Sequence, residues 1–164
     1  MRRYALSAVI AAALLLCLLE IWLHWDWIIH SEDQCDFPEA CLGDFYPKAF
    51  TAARWLWFFG VLTAGAGLVI AALVSARRST VLQLGVAGAA TFVFHFLTPV
   101  HRGRNAFGRL NGGQPIGVDG QYAVALLLLA LAAALYALAL RAVVRDARAA
   151  LASASAPIAG MPGS

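Results

Sequence analysis

The segment Ala123-Val-Ala-Leu-Leu-Leu-Leu-Ala-Leu-Ala-Ala-Ala-Leu-Tyr-Ala-Leu-Ala-Leu140 decides the fold class, because it is apolar around its whole circumference and not along one stripe. As a helix rising ~1.5 Å per residue it would reach about 27 Å, close to the ~30 Å hydrocarbon thickness of a bilayer. A helix in a soluble domain of this size would alternate apolar and polar faces. Lipid is the solvent that matches this one.

Three further apolar runs share the chain with it. Helices are expected over residues 5–29, 50–74, 81–98 and 121–144, giving an all-α membrane protein built as an antiparallel four-transmembrane-helix bundle. Residues 1–149 form the transmembrane domain, and the small-residue tail 150–164 is expected to be disordered. The first run follows Arg2 and Arg3 as a signal peptide would. It is too long for one and ends in Glu20-Ile-Trp-Leu-His-Trp25 without a small-x-small cleavage site, so it is read as a retained span. Only Ser75-Ala-Arg-Arg-Ser-Thr80 separates the second and third runs, which makes them antiparallel neighbours, and Pro99 stops the third.

Composition agrees, with 62% hydrophobic and 13% charged residues in 164. The net charge of +3 does not point to nucleic acid, since the arginines cluster beside the ends of the apolar runs. Arg2, Arg3, Arg77, Arg78, Arg141, Arg145 and Arg148 fall on one side, against Lys48, Arg102, Arg104 and Arg109 on the other. Seven against four places both termini in the cytoplasm. Lys48 is the only lysine, and with abundant alanine this suggests a GC-rich bacterial genome and hence an inner (plasma) membrane.

All five tryptophans (Trp22, Trp25, Trp27, Trp55, Trp57) then lie at the outer interface, where an indole buries its ring and hydrates its N–H. The first outer loop, about residues 30–49, carries Cys35 and Cys41 with five residues between them. On an oxidising face they read as a structural disulfide or as a redox-active pair. The spacing differs from a redox Cys-x-x-Cys, and no second pair stands by to relay electrons. Cys17, mid-helix, reads as a small apolar core residue. The first loop is acidic, and the second outer loop carries the basic set Arg102, Arg104 and Arg109.

Four ionisable residues fall inside the outer halves of the spans. Glu20 lies about 13 Å below the expected end of its helix, a costly depth for a carboxylate that is neither paired nor protonated. His24 lies one turn above it, while Arg54 and His95 sit within about a turn of the outer ends of the second and third runs. Facing inward, Glu20, His24, Arg54 and His95 would form one intramembrane polar cluster, either a structural ion pair that fixes helix register or a site for a proton, quinone or anionic headgroup. No metal is expected, since no two of His24, His30, His95 and His101 share a helical spacing of three or four residues. Small residues four apart at Gly60/Ala64, Gly67/Ala71 and Gly85/Ala89 are expected to pack helix against helix inside the bundle.

Thr51-Ala-Ala-Arg54 at the head of the second span, Phe96-Leu-Thr-Pro-Val100 at the end of the third, and the cysteine pair behind tryptophans give a plan that resembles the claudin and peripheral-myelin-protein superfamily of four-span proteins. The resemblance implies a Cys35–Cys41 disulfide and an Arg54 that anchors the first loop. Ser31-Glu-Asp-Gln34 stands where that family carries Gly-Leu-Trp, and the loop is shorter. In format the chain is also similar to the bacterial membrane oxidoreductases that make disulfides with quinone, without their Cys-x-x-Cys or second-loop cysteines.

The expected function is a non-enzymatic integral membrane protein whose disulfide-stapled outer hairpin engages membrane lipid, a protein partner or a second copy of the chain, with no cofactor. The alternative is a membrane oxidoreductase or carrier that binds a quinone, proton or anionic ligand at the Glu20, His24, Arg54 and His95 cluster.

Overall fold

The computed structural model describes residues 2–33, 45–97 and 120–154, which form four helices: α1 (Arg2–Asp33), α2 (Phe45–Leu73), α3 (Arg78–Leu97) and α4 (Gly120–Ala154). Three of them contain stretches long and apolar enough to cross a membrane, Tyr4–Trp25, Thr51–Leu73 and Ala123–Ser153. The chain is thus a helical membrane protein. Helix α3, of 20 residues, carries Arg78, Thr80, Gln83, Thr91 and His95 within its apolar run.

The helices are longer than the apolar runs that predict them. α1 starts at Arg2 and runs on to Asp33, so four residues assigned to the first outer loop are helical. α2 begins at Phe45 and accepts Pro47 in its first turn, where no intrahelical N–H partner is required. α4 does not stop at Val144 but continues through Arg145 and Asp146 to Ala154, taking the first residues of the expected tail into the helix. Alanine and arginine in that stretch are strong helix formers, and hydropathy does not register propensity. Residues 155–164 lie outside the described residues.

Each helix packs on its neighbours in sequence, and α1 closes the ring against α4. Close approaches fix an antiparallel register. A Cβ on Gly67 of α2 would lie 3.7 Å from Val9 of α1, and one on Gly88 of α3 would lie 3.3 Å from the Ala64 Cβ of α2. Leu6, the 74–77 turn and the last turns of α4 line one cavity, so the start of α1 and the end of α4 share one end of the bundle.

Among the described side chains of α1 the buried ones are Leu6, Ile10, Ala13, Cys17, Glu20 and His24, spaced alternately four and three apart. The positions recur every seven residues, the repeat of helices wound left-handedly about each other. α2 continues the pattern with Ala53, Gly60, Ala64, Gly67 and Ala71, and α4 with Ala125, Leu129, Ala132, Tyr136, Ala139 and Val143. The inner faces mix small and polar residues with Leu6, Ile10, Leu84, Phe94 and Leu129, while other large apolar residues such as Leu15, Leu62, Val69 and Leu127 are exposed. Lipid is as apolar as leucine, so close backbone packing and hydrogen bonding hold the interior. Gly60, Ala64, Gly67 and Ala71 line this interior as expected, but Gly85 has no neighbour within 4 Å of its would-be Cβ and Ala89 is exposed. The glycine of α3 that meets α2 is Gly88, three residues on.

The α2–α3 turn closes with a paired C-cap. Ser75 N–H donates to Ala72 O at 3.2 Å and Ala76 N–H to Ala71 O at 2.9 Å, with Ser75 in the left-handed region at φ 50°.

Candidate functional site

The distal end of the bundle, away from the Ser75 turn, holds the intramembrane residues singled out from sequence. Glu20 and His24 extend the inner stripe of α1 by two steps, and each is only 1% exposed. A heptad stripe that begins with Leu6 and Ile10 therefore delivers a carboxyl and an imidazole to the interior, and lipid does not touch them. The edge of the His24 ring meets Phe94 of α3 at 5.1 Å and 88°, bridging α1 to α3.

His95, next along α3, turns toward α2. Its ring lies against Trp57 with centroids 3.9 Å apart and planes 20° from parallel, and Phe92 flanks the same indole at 6.3 Å. Trp57 Nε1 is buried and has no hydrogen-bond acceptor among the described residues. Arg54, one turn toward the hairpin from Trp57, lies on the exposed side of α2, as do Thr51 and Trp55. Glu20 and His24 are thus both buried on the inner stripe of α1, His24 and His95 are joined through adjacent positions of α3, and Arg54 is exposed.

Two polar ties below this layer are not evident from sequence. The Cys17 thiol donates to Leu129 O on α4 at 3.3 Å, so the residue read as a small apolar filler also links helices. Tyr136 Oη and Thr91 Oγ1 are 3.5 Å apart in the core between α4 and α3, and Thr91 Oγ1 also donates to Ala87 O at 2.9 Å. The signal available was Tyr136 itself, the single hydroxyl in the eighteen-residue apolar run. A phenol there finds a partner inside the protein because lipid offers none.

The outward surface at the same end is aromatic. Trp22 and Trp25 of α1 are 61% and 60% exposed and Trp55 of α2 is 56% exposed. Trp55 stacks on Phe59 at 5.8 Å and meets Phe58 edge-on at 6.1 Å. Cys35, Cys41, Arg102, Arg104, Arg109 and His101, with the side chain of His30, lie outside the described residues. Among the described residues no three His, Cys, Asp or Glu side chains converge on a common metal position. Comparison with protein-family models, curated proteins and solved structures finds no match to this chain.

Proposed function

We propose that the chain is a four-span, non-enzymatic membrane protein, with both termini cytoplasmic, whose α1–α2 hairpin end recognises membrane lipid or a protein partner. One contrast carries this reading. The ionisable side chains Glu20 and His24 are sealed at 1% exposure, whereas Trp22, Trp25 and Trp55, each more than half exposed, are among the described residues that stand outward at this end. Large rigid aromatic side chains at a membrane boundary suit headgroup contact and protein contact alike. Glu20 and His24 then act on the bundle, fixing the rotation of α1 against α3.

The four-span topology draws support from α3. Its 20 residues make about 30 Å of helix, the thickness of a hydrocarbon core, and it packs between α2 and α4 after a turn too short to leave the membrane plane. The end that brings together the start of α1, the 74–77 turn and the end of α4 carries the arginine excess, which supports its cytoplasmic assignment. A Cys35–Cys41 disulfide stapling the outer loop belongs to this proposal, as does the bacterial inner membrane.

A second reading, a carrier or oxidoreductase that binds a quinone, proton or anionic ligand at Glu20, His24, Arg54 and His95, is favoured by the two ionisable side chains Glu20 and His24 held inside the bundle at 1% exposure. Native mass spectrometry of protein extracted mildly from its own membranes, with thiol alkylation before and after reduction, separates the two. A fully oxidised Cys35/Cys41 pair with a co-purifying protein or lipid supports the first reading. A bound quinone or haem, or a mixed thiol state, supports the second.

A further inference from the structure

At the end opposite the tryptophans the bundle opens into a cavity of about 430 Å³ between α1, the α2–α3 turn and the last turns of α4. Its walls are apolar where Leu6, Val74 and Val143 line it, and hydroxylic at Ser75, Thr80 and Ser153. Thr80 is only 2% exposed, so the lining reaches well below the surface. Arg77 and Asp146 also line it, joined by a 2.9 Å contact from Arg77 Nε to Asp146 Oδ2, and Arg145 Nε lies 3.9 Å from the other carboxylate oxygen. Arg145 flanks the lining without being part of it, so two guanidiniums surround the single carboxylate of Asp146 at the cavity mouth. The cavity is much larger than an inorganic anion and has an apolar part that such an ion would leave uncovered.

We propose that this cavity binds an anionic phospholipid, with the phosphate at Arg77 and at Arg145 flanking it outside the lining, the headgroup and glycerol oxygens at the hydroxyl-lined wall, and the start of the acyl chains against Leu6, Val74 and Val143. Asp146 positions Arg77 at the rim and is not itself a contact for the phosphate. The site rests on the membrane reading and not on the hairpin function, and it lies in the half of the protein which that function leaves unused. Anionic lipids are enriched in the leaflet that faces a basic cytoplasmic surface, so the ligand and the site share a location.

The test uses the purified full chain in detergent, stripped of lipid and titrated with phosphatidylglycerol, phosphatidylcholine or inorganic phosphate, with bound mass and thermal midpoint as readouts. Phosphatidylglycerol should bind more tightly than phosphatidylcholine, and Arg77→Ala should weaken it about fivefold. Ala150→Trp, which fills the cavity and leaves both arginines in place, should abolish retention of the lipid. Arg141→Ala, exposed and outside the lining, should change nothing. Arg77→Lys keeps the charge and serves if Arg77→Ala does not fold. Equal binding of the two lipids, wild-type binding by Ala150→Trp, or equal stabilisation by inorganic phosphate would each overturn the proposal. Resistance to alkaline carbonate extraction checks the membrane reading separately.

Discussion

The imidazole of His95 on α3 lies flat against the indole of Trp57 on α2, with centroids 3.9 Å apart and planes 20° from parallel. This contact joins the second and third helices at the hairpin end, one residue from the Phe94 that receives His24 from α1. A double-mutant cycle of Trp57→Leu and His95→Leu, followed by thermal or denaturant unfolding in detergent, should give a coupling of about 0.5–1.5 kcal/mol. Additivity within error would mean that the two rings do not stabilise each other.

In the core, Tyr136→Phe removes the 3.5 Å contact with Thr91 and keeps the ring. The expected loss is about 0.6 kcal/mol, the size of a typical interhelical hydrogen bond in a membrane. Tyr136→Ala, which also empties a site that is 1% exposed, should cost about 3–5 kcal/mol. A large loss in the phenylalanine variant would show that the hydroxyl does more than tie two helices.

Glycine positions should separate sharply. Gly88 already places a would-be Cβ 3.3 Å from Ala64, so Gly88→Leu must push α2 and α3 apart, at about 1–3 kcal/mol or more. Gly65 has open space around it, and Gly65→Leu should fold as well as the wild type. Folded yield by size exclusion in detergent distinguishes the two, and equal yields would contradict the inner-stripe assignment.

The turn at Ser75 offers a stabilising change. With φ at 50° it occupies a conformation that costs an L residue roughly 1–2 kcal/mol, and glycine is the usual occupant of that position in this type of cap. Ser75→Gly should raise the thermal midpoint and Ser75→Val should lower it. A lowered midpoint for Ser75→Gly would show that the serine hydroxyl, in the cavity lining, contributes more than the backbone costs.

How much of this was legible in the sequence depends on which property is asked. The number and order of helices followed from apolar runs, because segments such as residues 123–140 have few other stable homes. Helix ends did not follow, since the boundary of an apolar run marks lipid while the helix of α4 continues on alanine and arginine propensity to Ala154. Helix rotation was harder still. In a soluble protein the apolar stripe reveals the inner face, but here exposed Leu15 and buried Ala13 are both apolar, and the inner face shows in the seven-residue recurrence that runs through Cys17, Glu20 and His24. Glu20 and His24 lie on that recurrence and are buried, whereas Arg54 adjoins the stripe residue Ala53 and is exposed.

The most direct measurement is site-specific photo-crosslinking in native membranes, with the photoreactive residue placed at Trp22, Trp25 or Trp55, and at Leu127 or Leu131 on the exposed face of α4 as references. A hairpin end that recognises a partner should give discrete protein or headgroup adducts from the three tryptophan positions and only diffuse acyl-chain adducts from α4. Indistinguishable diffuse labelling at all five positions would contradict the account, leaving the tryptophans as an interfacial belt with no partner.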